Sequence, residues 1–445
     1  MGRGTVVMGA SRARAALGVL VGLLGVGAGS ARADLFEYVK KPDKVFSWTH
    51  KSTVDLKDGT MYHLLLVSQE WQGVKWEHDI QLFIPKGIDS NGSMFLWNQG
   101  GKPGVASAVF GMDLALRMKA PVALLFGIPN QPLLEGKFSE DALIAETFVR
   151  YLKTKDGDWP LLFPMVKSLV RAMDALQEFC KKELKLNITR FVVSGASKRG
   201  WTTWLTGAAD ARVQAIAPAV IDTLNFQKQI PHQLESFGTF SDMIKDYTRR
   251  GLVPIPDTEE ARKLWRMIDP WHYRDKLKMP TMIINGANDP YWTTDALNLY
   301  WDDLKCPRWV LYVPNAGHNL TQEQADGKKD RNRSLSTLAA FVHCQIYKKE
   351  MPTLTWKHRD LDGKLVLDVE ASVAPKAARL WVAQGPTRDL RKAKWEERPA
   401  TAKGGTIRGA VAAPASGVLA TYAELEYEMN GQPYYLSTQM RVVGK

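Results

Sequence analysis

Apolar runs alternate with amphipathic stretches through the middle of the chain, and this alternation predicts the main architecture. Short apolar runs indicate strands, at residues 121–129, 188–195, 213–221, 279–289 and 308–318. Stretches with apolar residues at helical spacing indicate helices, at residues 105–119, 140–153 and 163–185. Strands that alternate with helices favour a mostly parallel sheet covered on both faces, which is an α/β fold.

Three strands are predicted before this alternation begins. Residues 61–67 and 75–84 have strand-like patterns on either side of Gln72-Gly73, which is typical of a β-hairpin. Residues 93–104 indicate a third strand that runs into a glycine-rich loop.

The pattern changes in two later regions. Between residues 222 and 278 the pattern becomes less regular and predicts polar helices and turns. An insertion of this length is a candidate lid or pocket wall; the alternative is a segment that packs on the domain without a functional role. After residue 350, about seven short strands predict a small antiparallel sandwich of the immunoglobulin or fibronectin-III kind. We therefore expect a main domain at 34–350 and a β-sandwich domain at 351–445.

The first 33 residues have the pattern of a secretory signal peptide. Arg3, Arg12 and Arg14 precede a short apolar stretch, which is followed by Ala31-Arg32-Ala33 as a cleavage site. We expect cleavage after Ala33 and a periplasmic or secreted protein with no stable membrane anchor; the alternative is a retained anchor. Removal of the four arginines would lower the net charge from +12 to +8.

Charge and cysteine content narrow the function classes. The positive excess is spread along the chain rather than gathered in one run, so we expect no nucleic-acid partner. Cys180, Cys306 and Cys344 allow at most one disulfide, and their wide spacing argues against a zinc site. We expect no metal ion and no organic cofactor.

The candidate chemistry begins at the six residues GASKRG, 195–200. Ser197 lies where a predicted strand passes into a predicted helix, among small residues, as the nucleophile of an α/β-hydrolase does. Gly195 is at the expected position, but Arg199 occupies the place of the second glycine, which follows as Gly200. Taken alone, a serine among small residues is more often a packing residue than a nucleophile.

An acid and a base follow in the order that this fold requires. Asp289 and His318 each lie in a loop directly after a predicted strand, so both belong at the carboxyl edge of the sheet. Asp222 and Asp295 compete with Asp289 for the role of the acid. We predict a Ser197–Asp289–His318 triad.

The remaining site predictions concern the oxyanion and the pocket. The backbone N–H of Lys198 and the loop at Gln99 and Gly100 are the expected oxyanion donors, although this loop could be a simple turn. Pocket candidates near the carboxyl edge are aromatic side chains and one acid; they are Trp201, Trp204, Trp271, Trp292 and Asp222. The alternative for the tryptophans is a place in the core.

Several longer segments resemble the PhoPQ-activated pathogenicity-related protein family. They are PNQPL (129–133), EDALIAETF (140–148), DGDWPLLFPMVKSLVRAMDALQ (156–177), GASKRGWTTWL (195–205) and NGANDPYW (285–292). The resemblance spans roughly residues 35–350 and implies an exported α/β-hydrolase-like protein, in a family named for regulation linked to virulence. It gives Ser197, Asp289 and His318 the nucleophile, acid and base places.

Separately, GASKRG resembles the elbow of glucuronoyl esterases, which implies that Lys198 could assist the oxyanion of an acidic sugar ester.

These observations favour an exported serine hydrolase that acts on an ester or amide bond of a small molecule or peptide. One alternative is a peptidase of small cationic peptides. The other is a non-catalytic envelope-binding protein on a hydrolase scaffold. Neither the pattern nor the resemblance specifies the substrate or the oligomeric state.

Overall fold

The computed structural model describes residues 1–2, 34–324 and 326–444. From residue 34 onward the described chain forms one compact unit. The predicted signal peptide, residues 1–33, lies almost entirely outside the described residues. None of the described helices is both long enough and apolar enough to cross a membrane.

The chain opens with one short helix and three long antiparallel strands. They are α1 (Leu35–Lys40), β1 (Ser47–Leu56), β2 (Gly59–Trp71) and β3 (Val74–Pro85). Gln72 and Gly73 join β2 to β3 with positive φ angles of 50° and 75°, as a two-residue hairpin turn requires. The predicted hairpin is confirmed, and β1 extends it by pairing with β2.

The alternation predicted for the middle of the chain is present. In chain order its elements are β4 (Ser93–Asn98), α2 (Val105–Met118), β5 (Val122–Leu125), α3 (Glu140–Thr154), α4 (Leu162–Phe179), β6 (Arg190–Ala196), α5 (Lys198–Ala209), β7 (Val213–Ala219), α6 (Phe226–Phe237), α7 (Lys245–Thr248), α8 (Glu259–Ile268), β8 (Thr281–Gly286), β9 (Arg308–Val313), β10 (Gln322–Glu323), β11 (Lys329–Asp330) and α9 (Asn332–Tyr347).

The central sheet is mostly parallel and covered on both faces. Its strand order is β3-β5-β4-β6-β7-β8-β9, in which only the β3–β5 pair is antiparallel. Helices α4 and α5 pack on one face and α2 and α9 on the other, each over its own hydrophobic core. This arrangement brings the carboxyl ends of β6, β8 and β9 to the same edge.

The insertion between β7 and β8 is helical, as predicted, and comprises α6, α7 and α8. Helices α7 and α8 pack against α3. The buried carboxylate of Asp269 accepts hydrogen bonds from the N–H groups of Asn225 and Phe226, at 3.1 and 2.9 Å, and so ties the start of α6 to the end of α8. Burial raises the pKa of Asp269 to about 7, against the effect of these donors.

The C-terminal region is a two-layered antiparallel sandwich. Its strands are β12 (Leu354–Leu361), β13 (Lys364–Ala371), β14 (Ala377–Gly385), β15 (Glu396–Pro399), β16 (Thr401–Lys403), β17 (Thr406–Ala412), β18 (Val418–Met429), β19 (Gln432–Ser437) and β20 (Arg441–Gly444).

One layer of this sandwich continues the central sheet. Strand β19 pairs with β9 through Ser437 and Val310, so that β19, β18, β14 and β15, together with β20 on β18, extend the sheet to 14 strands. The other layer has the order β12-β13-β17-β16. The predicted sandwich is therefore present, with a continuous sheet joining it to the α/β region.

The three cysteines are buried and none forms a disulfide. Burial raises the pKa of the Cys180 thiol to about 12 and that of Cys344 to about 11, which leaves both in the unreactive thiol form at neutral pH. They act as small apolar side chains of the core.

Candidate active site

Ser197 lies on a sharp turn between β6 and α5. Its backbone has φ 58° and ψ −129°, a conformation that L-residues rarely adopt. Its N–H donates to the carbonyl of Ala219 at the end of β7, at 2.9 Å. A side chain held in this way stands clear of both the strand and the helix, as a nucleophile requires.

Gly195 and Gly200 make this turn possible, because a Cβ atom at either position would meet neighbouring atoms. Arg199 occupies neither of these two positions. A Cβ atom on Gly195 would lie 2.8 Å from the carbonyl oxygen of Arg199, and one on Gly200 would lie 2.6 Å from Cγ2 of Ile221. Both contacts are shorter than real Cβ atoms make. The glycine that this turn needs is therefore at 200, which explains why the motif tolerates an arginine at 199.

His318 and Asp289 are paired beside this turn. Nδ1 of His318 lies 2.8 Å from Oδ2 of Asp289, whose side chain is 9% exposed. Oδ1 of Asp289 accepts the N–H of Tyr291 at 2.9 Å, and the Tyr291 ring packs against the imidazole at a tilt of 32°, with 4.2 Å between ring centres. The acid is fixed by its own loop, and the imidazole is held between a carboxylate and an aromatic ring.

The other imidazole nitrogen of His318 is unpaired within the part of the chain that the structure describes. Nε2 of His318 is buried and makes no hydrogen bond to any described residue. His318 and Ser197 line the same cavity. With Nδ1 held by Asp289, Nε2 is the free nitrogen that can accept the Ser197 proton.

Close packing and the C-terminal sandwich both hold the loops of the acid and the base. A Cβ atom on Gly286 would lie 2.5 Å from the carbonyl oxygen of Ala316, so the two loops pack in direct contact. The side-chain amide of Asn288 donates to the carbonyl of Ala393 at 2.8 Å. Asn315 exchanges two hydrogen bonds of 2.8 Å with the backbone of Trp395.

These partners belong to the loop that joins β14 to β15. The sandwich therefore supports the acid and base loops directly.

The cavity is lined mainly by apolar and aromatic side chains. Besides the two catalytic candidates its wall comprises Asp141, Lys198, Trp201, Val220, Ile221, Thr223, Phe226, Ile230, Ile244, Tyr247, Val253, Trp265, Tyr291 and Trp292. Helices α6 and α8 of the insertion supply Phe226, Ile230 and Trp265, so the insertion forms part of the pocket wall. The ring of Phe226 contacts two other aromatic rings of this wall, with 4.7 Å between its centre and that of Trp265 and 5.3 Å to that of Trp201.

Two carboxylates neutralise the two cations that follow Ser197. Nζ of Lys198 lies 2.9 Å from Glu140 and 3.2 Å from Asp141. Arg199 forms a bidentate pair with Glu140 at 2.7 and 2.8 Å. Burial opposes ionisation of Glu140, but the hydrogen bonds and charge of Arg199, helped by Lys198, outweigh it and lower its pKa to about 2. The cluster carries no net charge at neutral pH.

Of the predicted oxyanion donors, the N–H groups of Lys198 and Gly100 are available, whereas that of Gln99 is not. The N–H of Lys198 is the first of α5, where no intrahelical acceptor exists, and it follows Ser197 directly. The N–H of Gln99 already donates to the carbonyl of Leu125 at 2.9 Å, which removes it as a donor. Gly100 packs against the Arg199 guanidinium, and its N–H makes no hydrogen bond within the described chain.

The predicted pocket residues divide into two groups. Trp201 and Trp292 line the cavity. Trp271 does not: its Nε1 donates to Asp303 at 2.7 Å and Arg274 stacks on its ring, away from Ser197. Trp204 is fully buried in the core.

The competing acids have other partners. Asp222 is buried next to the acid loop, outside the cavity wall, and accepts hydrogen bonds from Tyr300 and Asn285. Burial raises the pKa of Asp222 to about 7, with the nearby charge of Asp289 adding to the shift. Asp295 pairs with His232 at 2.7 Å and with Arg388 at 2.7 Å. Among the three acids considered, only Asp289 contacts His318.

Comparison with solved structures supports the fold. Acetyl xylan esterase 1 from a Thermoanaerobacterium species is 14% identical, with a TM-score of 0.50 over 70% of this chain and 91% of that one. An acetyl xylan esterase from a Paenibacillus species is 15% identical, with a TM-score of 0.45 over 64% and 86%. The first of these confirms the predicted α/β-hydrolase fold.

Sequence comparison identifies the family. Autocrine proliferation repressor protein A of Dictyostelium discoideum is 33% identical over 371 residues, which cover 78% of this chain and 73% of that protein. The profile of the PhoPQ-activated pathogenicity-related proteins matches residues 35–391. The match extends into the loop between β14 and β15, beyond the segments that carry the resemblance in the sequence. The chain belongs to the PhoPQ-activated pathogenicity-related protein family.

Proposed function

We propose that this protein is an exported serine hydrolase that cleaves ester bonds through Ser197, His318 and Asp289. The observation that carries the proposal is that a strained serine and an acid-bound histidine line one cavity. Each group comes from a different strand end, and the histidine keeps its second nitrogen free.

The proposed reaction has two half-reactions. Oγ of Ser197 bonds to the acyl carbonyl carbon while its proton passes to Nε2 of His318, and Asp289 stabilises the resulting imidazolium. His318 then protonates the leaving alkoxide as the ester C–O bond breaks. Water next gives a proton to His318 and attacks the acyl carbon. The bond to Ser197 breaks, and Oγ recovers the proton as the free acid is released.

The oxyanion of each tetrahedral intermediate would bind the N–H of Lys198. Gly100 is the candidate for the second donor, because its neighbour Gln99 is already bonded within the sheet. Loss of one such donor typically costs about 3–4 kcal/mol of transition-state stabilisation.

The charges in the cavity favour an uncharged substrate. A pocket for cationic peptides would need a free carboxylate, but Asp141 is paired with Lys198 at 3.2 Å. For an acidic sugar ester, Lys198 would have to be free, but two carboxylates hold its ammonium group. The peptidase and glucuronoyl-ester alternatives are therefore the less favoured ones.

Export is supported by the signal-peptide pattern of residues 1–33. The name of the Dictyostelium relative assigns an autocrine role to that protein, which agrees with action outside the cell. The same name assigns that relative a regulatory role. It therefore favours, as the second candidate, a binding protein that regulates through a partner on the hydrolase scaffold.

Labelling of residues 34–445 with a fluorophosphonate, read by intact mass, tests the proposal. We expect one adduct on the parent protein and none on Ser197→Ala or His318→Ala. His232→Ala is the matched control, since His232 also pairs with an aspartate but does not line the cavity. It should label like the parent. A folded parent protein that takes no adduct would favour the binding protein instead.

A further inference from the structure

Two hollows of very different size meet at the insertion. The inner one is the cavity at Ser197, with a volume of about 40 Å³. The outer one is a groove on α6 and the segment after α7, with a volume of about 410 Å³. The inner cavity therefore has about a tenth of the volume of the outer groove, which favours a short occupant.

A thin apolar partition separates the two hollows. Ile230 of α6 is 4% exposed and contributes to the walls of both. Val253 lines the inner cavity, and the next residue, Pro254, lines the outer groove. At these positions the partition is a single side chain or a single residue thick.

The inner wall selects the chemistry of what enters. Apart from Ser197, His318, the Asp141–Lys198 ion pair, one threonine and two tyrosines, its lining is aliphatic or aromatic. Buried charge without a partner is costly, whereas apolar groups gain from burial. The outer groove continues this apolar character through Leu234, Phe240 and Ile255, and has Asp257 and Arg262 at its rim.

We propose that the cavity binds the acyl group of the ester, that this group is short and uncharged, and that Ile230 sets its maximum length. The inference rests on the proposed hydrolase function. The leaving alcohol is not restricted by this wall. Shortening Ile230 joins the inner cavity to the outer groove and gives a longer acyl chain a continuous apolar path.

Ile244 provides a matched control for Ile230. Both are isoleucines that are 4% exposed and line the inner cavity, but only Ile230 also lines the outer groove. Ile230→Ala therefore opens the partition, while Ile244→Ala enlarges the inner cavity without joining it to the groove.

The experiment is the hydrolysis of p-nitrophenyl acetate, butyrate and octanoate by the parent protein, Ile230→Ala, Ile230→Val and Ile244→Ala, with kcat/KM for each. We expect the parent to prefer acetate or butyrate over octanoate by at least tenfold. Ile230→Ala should raise the octanoate-to-butyrate ratio tenfold or more, and Ile230→Val should raise it in the same direction by less. Ile244→Ala should leave this ratio within about twofold of the parent, while its butyrate-to-acetate ratio rises.

Each failure has a distinct signature. If the parent prefers octanoate, or if folded Ile230 variants keep the parental ratio while Ser197 still takes a fluorophosphonate, the acyl-length inference is wrong and the hydrolase remains. If no ester is cleaved and Ser197 takes no label, the proposed function itself fails. Should Ile230→Ala not fold, the valine variant and the parental length profile decide the question.

Discussion

The strained backbone of Ser197 predicts that a substitution which relieves the strain stabilises the protein while it abolishes hydrolysis. Replacing Ser197 with glycine removes the hydroxyl and also permits φ 58° and ψ −129° without steric penalty. Replacing it with alanine removes the hydroxyl but keeps a Cβ atom in the same conformation. The two variants therefore separate the backbone from the side chain, and both should lose hydrolysis.

The magnitude follows from two opposing effects. A residue held in a sparsely populated region costs about 1–3 kcal/mol, which glycine would relieve. Glycine also adds freedom to the unfolded chain, which costs about 0.4–1 kcal/mol. We therefore expect Ser197→Gly to raise the free energy of unfolding by about 1–2 kcal/mol relative to Ser197→Ala.

Urea unfolding followed by tryptophan fluorescence is the assay, with the midpoint compared at unchanged slope. A glycine variant that is no more stable than the alanine variant would refute the reasoning, because the turn would then store no backbone strain.

Three further predictions follow from the same structure. Asp289→Asn should lower kcat by about 10³–10⁴-fold, because the asparagine then holds the wrong tautomer of His318. Asp295→Asn should leave kcat near the parental value. Equal losses of kcat in the two variants would contradict the assignment of the acid. Folding raises the pKa of Asp222 from its ordinary value near 4 to about 7, so between these pH values the folded state binds one proton more than the unfolded state. The free energy of unfolding should therefore fall as the pH rises from about 4 to about 7, by up to about 1.4 kcal/mol per pH unit. Urea titrations at several pH values should give a flatter profile for Asp222→Asn, and an unchanged slope would count against the buried acid. A thiol reagent should modify none of the three cysteines in the native protein and all three in urea, so rapid native labelling would contradict their burial.

The sequence pattern was sufficient to predict the parallel sheet and the place in it of each residue of the proposed triad. Apolar runs mark buried strands, and Ser197, Asp289 and His318 each follow one directly, so the carboxyl-edge rule brings them together. The insertion and the sandwich were visible as changes in periodicity for the same reason.

Contacts between distant segments were not predictable in this way. Nothing in the local pattern indicates that Glu140 holds both Lys198 and Arg199, because acids at a helix start are common in any helix. The packing of the Tyr291 ring against His318 likewise depends on a specific loop conformation. The continuity of the sheet through Ser437 and Val310 joins residues 127 positions apart, which no periodicity encodes.

The measurement that tests the central claim most directly is the trapping of the acyl-enzyme. The protein is mixed with p-nitrophenyl acetate, quenched in acid during turnover, and digested for peptide mass analysis. The account predicts a stoichiometric acetyl group on the peptide that contains Ser197, and its absence from Ser197→Ala. Turnover with no acetyl on Ser197, or undiminished turnover by Ser197→Ala, would contradict it.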